Sequence, residues 1–473
     1  MKKYTFKAYH LSQLADTTTP VSVYLRLRDA FPNCILLESS DYHSRENSTS
    51  YICAEPIAGI TFEDGKLKTY FPDGSGEIAD CDNLSLAIET FKAKFNVESG
   101  DQLENKKQVS AGLFGYFTWD CIPYFEDITF TSKVLESAKI PPMQYHFYRY
   151  IIAIDHFKNE VSITQHVFEE DIDQNLNLKD LAYRIQHKSY PVYAFETVGA
   201  ETSNLSDTDF IALVEKMKMH IYRGDVFQIV PSRAFKQNFQ GDEFNVYRCL
   251  RSINPSPYLF YFDYGSFKLF GSSPEAQITI KDNTASVYPI AGTFQRTGQE
   301  SLDREIAIAL KNDPKESAEH VMLVDLARND LSRHCNQVEV AAYKEVQYYS
   351  HLIHLVSKVS GQVDQQAGSF KVVTDTYPAG TLSGAPKYKA MQLLDAYEGQ
   401  ARQFYAGAIG YMGFNHDFNH AIMIRTFLSK QNNLHYRAGA GIVADSVPEK
   451  ELTEVNHKIA ALRKAITQAT QLI

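Results

Sequence analysis

Residues 312–333 read NDPKESAEHVMLVDLARNDLSR, and the rest of the chain can be organised around this stretch. Asp313 and Pro314 are typical of a helix start, because proline suits the first helical position. Apolar residues within 321–326 cover nearly the whole helix circumference, which predicts a buried helix. Glu316 and Glu319 lie three positions apart and therefore share one face of it.

The two glutamates raise the question of what they bind. A buried carboxylate needs a cation, a set of hydrogen-bond donors or a proton. The simpler alternative is a helix-capping acid that also forms an ion pair with Lys315 or Arg328. Residues 312–333 alone leave both interpretations open.

Composition narrows the class of protein. The 473 residues carry a net charge of −10 without a basic tract, which argues against a nucleic-acid partner and an anionic membrane surface. No apolar run follows the N-terminal lysines as in a signal peptide, and no segment approaches membrane-spanning length. We therefore expect a cytoplasmic protein. The six scattered cysteines lack metal-ligand spacing and suit reduced thiols.

The hydrophobic pattern predicts an α+β fold with large antiparallel sheets. Hairpin signals occur at 60–70 around Asp64 and Gly65, at 258–270, at 276–289 and at 406–428. A polar connection at about 170–205 divides the chain into two predicted domains. These are residues 1–190 and residues 205–473.

A second acidic helix is predicted at 451–467, where apolar residues recur at i, i+3 and i+7. Glu451, Glu454 and Lys458 flank its apolar stripe. A solvated Glu454–Lys458 pair is the simpler interpretation. Two helices that each carry a carboxylate pair instead suit Mg²⁺, which prefers oxygen ligands.

Three glycine-containing loops could bind an anion, at 289–293, 378–387 and 437–441. Arg425 lies among apolar strand residues and should need an anionic partner, which could also be a structural aspartate. Carboxylates, glycine loops and this arginine together fit a small polycarboxylate that binds through Mg²⁺.

Several of these stretches resemble the chorismate-utilising enzymes. The motifs are GSSPE at 271–275, PIAGT at 289–293, KESAEHVMLVDLARND at 315–330, AGTLSGAPK at 379–387, AIMIRT at 421–426, RAGAGIV at 437–443 and ELTEVNHK at 451–458. LLES at 36–39 and NPSPYLFY at 254–261 are similar to anthranilate synthase component I. The resemblance implies that family's fold, in which large antiparallel sheets pack in a sandwich with surrounding helices.

The resemblance also implies a ligand set. Glu319 and Glu454 would bind Mg²⁺ directly, and Glu316 and Glu451 would bind its waters. The ion would hold the ring carboxylate of chorismate. The implied contacts to the substrate's carboxylates and hydroxyl are Gly292, Thr293, Tyr405, Arg425, Gly439, Ala440, Gly441 and Lys458.

Four residues correspond to the family's catalytic positions. Glu275 would protonate the departing C4 hydroxyl, which requires a carboxyl that stays protonated. His354 would serve the elimination of pyruvate, although a lone histidine is more often a core residue. Thr381 belongs to the same implied set. Gln228 stands where water-using relatives carry a lysine base, and glutamine cannot deprotonate water.

Two further positions separate members of the family. Ala291 replaces the lysine nucleophile of aminodeoxychorismate synthases, which favours direct attack of ammonia at C2. The family's tryptophan site corresponds to Ser39, Pro257, Tyr258 and Leu259. Leu259 replaces the commoner methionine, a change of similar volume.

The resemblance as a whole implies an anthranilate synthase large subunit that tryptophan inhibits. Glutamine hydrolysis would need a separate amidotransferase subunit, because no cysteine has a nucleophile context, and a heterotetramer is expected. Two alternatives stay open. One is aminodeoxychorismate synthase component I, and the other is a non-catalytic, tryptophan-binding regulatory protein.

Overall fold

The computed structural model describes residues 2–39, 49–99, 109, 111–171, 178–348 and 352–472. The strands are β1 (Tyr4–Leu14), β2 (Ile35–Glu38), β3 (Thr49–Glu63), β4 (Lys66–Tyr70), β5 (Gly76–Asp80), β6 (Phe95–Ser99), β7 (Gly112–Phe117), β8 (Met143–Asp155), β9 (Glu160–Phe168), β10 (Phe195–Ser203), β11 (Gln228–Ile229), β12 (Ser232–Gly241), β13 (Tyr258–Asp263), β14 (Phe267–Ser273), β15 (Ala276–Lys281), β16 (Thr284–Val287), β17 (Ile290–Gln295), β18 (Cys335–Tyr348), β19 (Leu352–Val363), β20 (Gly384–Ala385), β21 (Ala408–Gly413), β22 (Phe418–Ile422), β23 (Thr426–Lys430) and β24 (Asn433–Gly439). The helices are α1 (Pro20–Leu27), α2 (Leu84–Lys92), α3 (Leu178–His187), α4 (Asp207–Tyr222), α5 (Phe244–Ile253), α6 (Glu300–Asn312), α7 (Pro314–Ser332), α8 (Ser369–Thr376), α9 (Gly380–Ser383), α10 (Lys387–Glu398) and α11 (Pro448–Ala469).

The α+β class is confirmed. All strands except β11 and β20 join one continuous, mostly antiparallel sheet that closes on itself, and helices surround it. The layers expected of a sandwich are thus parts of one curled sheet. The short strands β11 and β20 pair only with each other among the described ladders.

Strands from both ends of the chain share this sheet. Strand β2 pairs with β13, and β7 pairs with β21 over its full length. Hydrogen-bonded ladders therefore join the segment before residue 190 to the segment after residue 205. The division into two domains at that connection stays a prediction.

The predicted hairpins at 60–70, 258–270 and 276–289 are confirmed as β3–β4, β13–β14 and β15–β16. The predicted hairpin at 406–428 is wrong in its second strand. That strand ends at Ile422, and β23 begins at Thr426. The break contains Arg425 in a left-handed backbone conformation with φ of 48°, which no regular strand accommodates.

The two acidic helices form as predicted. Helix α7 begins at Pro314, and the Asp313 carboxylate accepts the backbone N–H of Glu316 at 3.0 Å. Its predicted burial on all sides is wrong, because Val321 is 44% exposed. Helix α7 packs on β17, β18 and β19 with one side only, and the other side is exposed to solvent.

Candidate active site

Gln228 connects two segments of the candidate site, helix α7 and the loop that contains Gly441. Its side chain is buried in β11, and its amide Nε2 donates to Glu319 Oε1 on α7 at 3.1 Å. The same nitrogen lies 2.8 Å from the position that a Cβ on Gly441 would occupy. Glutamine at 228 therefore connects an acidic residue of α7 with the glycine loop that precedes α11.

Glu316 lies beside Gly292 in β17, so the loop predicted at 289–293 is wrong: residues from Ile290 onward form a strand with a bulge at Gly292. Gly292 has φ of 72°, and a Cβ there would come within 3.0 Å of Glu316 Oε2 and 2.6 Å of a Leu310 methyl group. Only glycine fits this position without displacement. The carbonyl oxygen of Gly292 lies 3.3 Å from His354 Nδ1 on the neighbouring strand β19, so His354 borders the same bulge.

His354 is neutral in this environment. Burial lowers the pKa of its imidazole to about 4, even though the Gly292 carbonyl opposes that shift. When Nδ1 carries the proton that it donates to Gly292, Nε2 keeps a lone pair. A neutral imidazole can accept a proton at neutral pH.

Lys458 connects α11 to Gly439 at the end of β24; the loop predicted at 437–441 is wrong for its first three residues, which belong to that strand. The Lys458 ammonium group donates to the Gly439 carbonyl at 2.9 Å and pairs with Glu454 Oε1 at 2.7 Å. The simple Glu454–Lys458 pair considered for the sequence is therefore formed. Tyr405 borders the same strand end, because its hydroxyl oxygen lies 3.2 Å from the position that a Cβ on Gly439 would occupy. Glu451, one turn before Glu454, is buried.

Glu275 has the properties of an acid that works near neutral pH. Burial raises the pKa of its carboxyl to about 7, while a hydrogen bond from Thr381 and the charges of Arg425 and Lys458 oppose the rise. The Thr381 hydroxyl donates to Glu275 Oε1 at 2.8 Å. Glu275 lies just after the end of β14, and Thr381 lies on the short helix α9.

The charge of Arg425 acts on Glu275 and Tyr405. Within the described ranges Arg425 forms no ion pair with an aspartate. The alternative that a structural aspartate binds this arginine is therefore wrong. Its left-handed backbone turns the chain between β22 and β23. A half-buried guanidinium beside a protonatable acid suits an anionic ligand.

The four residues of the predicted tryptophan site lie in one separate pocket with an empty volume of about 690 Å³, which includes its open mouth. Ser39 follows β2, and Pro257, Tyr258 and Leu259 surround the start of β13. The Glu38 carboxylate on its wall accepts from Tyr247 at 2.7 Å and from Arg251 at 2.9 Å. The other wall residues include Leu37, Tyr51, Phe260, Ile409 and Tyr411.

The remaining predicted residues either have side chains outside the described part of the chain or make other contacts. The side chains of Ala291, Thr293 and Lys315 lie outside the described residues. Ala440 is buried, and its N–H donates to the Pro231 carbonyl at 3.2 Å. Arg328 pairs with Asp325 at 3.2 Å, so the ion pair considered between Arg328 and the α7 glutamates is not formed.

The carboxylates fit Mg²⁺ in their chemistry. Across the described part of the chain, no group of three or more His, Cys, Asp or Glu side chains converges to hold a metal ion by itself. Magnesium needs no such group when one or two carboxylates and the substrate supply its ligands. Glu319 accepts from the Gln228 amide, and Glu454 pairs with the Lys458 ammonium group. Each carboxylate could exchange this donor for a cation. The magnesium site stays a prediction.

Sequence reasoning missed a buried ion pair beneath the site, between Glu398 and Arg402. Both residues are almost completely buried, and Arg402 also bonds to backbone carbonyls of site segments. A charged residue near the end of a helix is ordinary, and neither residue belongs to a recognisable motif. In the sequence, only the presence of charged residues within a stretch that becomes buried could have drawn attention to Glu398 and Arg402.

The fold and this combination of an acid, an arginine and glycine loops match one class of enzyme. Residues 32–464 match the family of chorismate binding enzymes, and the chain belongs to that family. The chain is similar to anthranilate synthase component 1 from Acetivibrio thermocellus, with 33% identity over 100% of this chain and 97% of that protein. The corresponding protein of Geobacillus stearothermophilus is 35% identical over 97% of this chain and 93% of its own length.

Solved structures agree in fold. Anthranilate synthase component I from Streptococcus pneumoniae superposes with a TM-score of 0.74 at 29% identity, over 95% of this chain and 99% of that chain. The menaquinone-specific isochorismate synthase from Escherichia coli has a TM-score of 0.73 at 18% identity, over 98% and 95% of the two chains. At that identity it shows the shared fold alone. None of the described helices is both long and apolar enough to span a membrane.

The Thr381–Glu275 hydrogen bond predicts a specific pH response. If Glu275 acts as an acid toward chorismate with ammonia as the nucleophile, kcat/KM for chorismate should fall above about pH 7 at a constant concentration of free ammonia, because the ionised carboxylate cannot donate a proton. Thr381→Val removes a donor that stabilises the ionised carboxylate, so the fall should move up by about one pH unit. Thr467→Val, whose hydroxyl donates only to a helix carbonyl, is the control and should leave the profile unchanged. A Thr381→Val profile that matches wild type would contradict the assignment of Glu275 as the acid.

Proposed function

We propose that this chain is the large subunit of an anthranilate synthase. Chorismate and ammonia would give 2-amino-2-deoxyisochorismate, which then loses pyruvate to give anthranilate. The observation that carries the proposal is Glu275, a carboxyl whose pKa is raised to about 7 and that lies within the influence of Arg425 and Lys458. A carboxyl with a pKa near 7 keeps a protonated fraction at neutral pH, and beside cations it suits the loss of a hydroxyl from a dianionic substrate.

Gln228 supports ammonia as the nucleophile. Its Oε1 is buried and accepts no hydrogen bond within the described residues, while its Nε2 is bound to Glu319. An amide oxygen can accept a hydrogen bond from ammonia but cannot deprotonate water. Ammonia already has a free lone pair and needs no base to become a nucleophile.

In the first step ammonia forms a bond to C2 as the bond between C4 and its hydroxyl breaks. Glu275 gives its proton to that hydroxyl, which leaves as water, and the new amine loses one proton. The Thr381 hydroxyl then stabilises the carboxylate of Glu275 by the hydrogen bond that it already makes. Arg425 would hold a substrate carboxylate next to this acid.

In the second step the proton at C2 is removed and the bond between C3 and the enolpyruvyl oxygen breaks, which leaves an aromatic ring. The departing enolate takes up a proton at its methylene carbon and becomes pyruvate. His354 is the neutral base at this position, because burial keeps its pKa near 4. Its Nδ1 contact with Gly292 fixes the ring on the bulge that borders Glu316.

We propose Glu319 and Glu454 as the direct ligands of Mg²⁺, with Glu316 and Glu451 as acceptors for its waters. When bound, the ion would neutralise the ring carboxylate of chorismate and fix its orientation. The tryptophan pocket and inhibition by tryptophan belong to the same proposal. Glu38 offers an acceptor for an amino group there, and Phe260 and Ile409 offer apolar surface for an indole ring.

The name component 1 in the relatives implies a second component. We propose a glutamine amidotransferase subunit that supplies ammonia, in a cytoplasmic heterotetramer. All six cysteines of this chain are buried, and burial raises the pKa of several of their thiols, so none suits glutamine hydrolysis.

Aminodeoxychorismate synthase component I is the second candidate, because it would use the same acid and ammonia. Ala291 disfavours it, since alanine cannot form the covalent adduct that a lysine there would form. A tryptophan-binding regulatory protein would not need Glu275 to be protonated at neutral pH. The product decides among these three.

The purified chain should make anthranilate from chorismate, ammonium and Mg²⁺ at mildly alkaline pH, and none from glutamine alone. Fluorescence of anthranilate measures the reaction, and chromatography identifies the product. Isochorismate or 4-amino-4-deoxychorismate as the sole product would reject the proposal. Binding of tryptophan without any turnover would favour the regulatory protein.

Glu319→Gln should lower turnover by about 100-fold or more and weaken Mg²⁺ binding, because an amide is a poor substitute for an anionic ligand. Calorimetric titration with Mg²⁺ in the presence of chorismate gives a readout that does not depend on turnover. Glu449→Gln, an exposed residue in the first turn of α11, is the matched control and should behave as wild type. Unchanged Mg²⁺ affinity in Glu319→Gln would remove this residue from the metal site.

Ser39→Phe should fill the separate pocket and raise the tryptophan concentration for half-inhibition by at least about 10-fold, because an added ring occupies the ligand's volume. Turnover of this variant in the absence of tryptophan should persist. The exposed Ser301→Phe controls for the added aromatic surface. Equal inhibition of Ser39→Phe and wild type would place the inhibitor elsewhere.

A further inference from the structure

Arg402 uses its guanidinium to bind three separate segments. It is 4% exposed, and Nε and Nη2 donate to the Glu398 carboxylate at 2.9 and 2.7 Å. Nη1 donates to the Leu382 carbonyl at 2.7 Å, and Nη2 donates to the Val230 carbonyl at 2.5 Å. The planar fork of arginine can bind all of these acceptors at once, whereas an ammonium group cannot.

The two carbonyls belong to segments that carry site residues. Val230 lies two positions after Gln228, and Leu382 directly follows Thr381. The carbonyl of Arg402 itself accepts the N–H of Tyr405 at 3.1 Å. Arg402 therefore contacts the segments of Gln228 and Thr381 through its side chain, and it contacts Tyr405 through its backbone carbonyl.

Glu398 extends the same connection. One of its oxygens accepts from both the N–H and the hydroxyl of Ser232 at 2.8 Å. The other lies 3.5 Å from Arg437, in the strand that leads to Gly439. The Glu398–Arg402 pair thus contacts the strand after Gln228 from two sides.

The segments have little regular structure of their own. Strand β11 contains two residues, β20 contains two, and α9 contains four. Such short elements are not stable in isolation. The fork of Arg402 binds the Leu382 carbonyl in α9 and the Val230 carbonyl directly after β11, and Trp119 from the N-terminal part of the chain covers the guanidinium at 4.4 Å from its ring centroid.

We propose that Arg402, oriented by Glu398, is a positioning residue that fixes Gln228 and Thr381 relative to each other across the active site. Its side-chain hydrogen bonds among the described residues go to Glu398, Leu382 and Val230 and not to Glu275. It acts through the backbone of both segments, so that the Thr381 hydroxyl reaches Glu275 while the Gln228 amide faces Glu319. The effect on catalysis rests on the proposed function, but the effect on the two segments does not.

The test compares Arg402→Lys with Arg28→Lys. Arg28 also pairs with a carboxylate, Asp242, at 2.6 Å and lies over the Phe244 ring at 5.4 Å, but it is not part of the site. Amide hydrogen exchange should become faster at 226–232 and 380–385 in Arg402→Lys and stay as in wild type in Arg28→Lys. Wild-type exchange of both segments in Arg402→Lys would overturn the proposal whatever the enzyme's activity.

Kinetic measurements test the displacement of Gln228 and Thr381 in the same variant. Arg402→Lys should lower kcat by about 100-fold with KM for chorismate within about 3-fold, because misplaced groups affect the transition state most. The fall in kcat/KM above about pH 7 should move upward as in Thr381→Val, and Thr381→Val/Arg402→Lys should show no further shift. A loss of kcat with an unmoved pH profile would show a general loss of structure and overturn the proposal.

A second variant covers the case in which Arg402→Lys does not fold. Glu398→Gln/Arg402→Met removes both charges together, which buried pairs tolerate better than the loss of one partner. It should show the same faster exchange at both segments, and wild-type exchange with wild-type kcat would overturn the proposal. Failure of the wild-type chain to form anthranilate would reject the proposed function only, since the exchange measurement still decides the role of Arg402.

Discussion

The burial of carboxylates is the constraint on which this structure depends most. Glu398 is surrounded by Arg402, Arg437 and Ser232, and these partners hold the pKa of its carboxyl below the usual value despite its burial. Glu275 has one hydroxyl donor and two more distant cations, and burial raises its pKa to about 7. Two residues of one type thus differ in charge because their partners differ. The charged Glu398 holds backbone segments together with Arg402, and the protonatable Glu275 suits proton transfer.

The sheet brings the separate pocket and the acid onto one ladder. Tyr258 at the pocket pairs with Ser273, and Glu275 follows two residues later. On the other side, Ile422 donates its N–H to the Glu275 carbonyl at 3.0 Å, and its neighbour Ala421 lines the pocket. A ligand in the pocket would therefore contact strands that continue directly into the active site. If tryptophan binds in this pocket as proposed, these packed strands are the direct connection between the pocket and Glu275.

The family shares a fold among members that use different nucleophiles, so the fold does not define the reaction. The isochorismate synthase of E. coli has nearly the same TM-score to this chain as the anthranilate synthase component I of S. pneumoniae. The proposed choice of ammonia as the nucleophile rests instead on single side chains such as Gln228 and Ala291. An amide at 228 bound to Glu319 offers a hydrogen-bond acceptor, but the amide itself cannot act as a base toward water.

Local sequence patterns determined the hairpins, the two acidic helices and the residues that carry charge in loops. These features follow from periodicity, from a proline at a helix start and from a turn such as Asp64-Gly65, all of which act over a few residues. Tertiary structure alone decided that Gln228 meets Glu319, 91 positions later, and that Arg425 interrupts a predicted strand. It also decided the pKa of Glu275 and the role of Arg402, because burial and hydrogen-bond partners come from distant segments. The sequence identifies groups that can do chemistry, and packing determines which of them stay charged, protonated or bound to backbone.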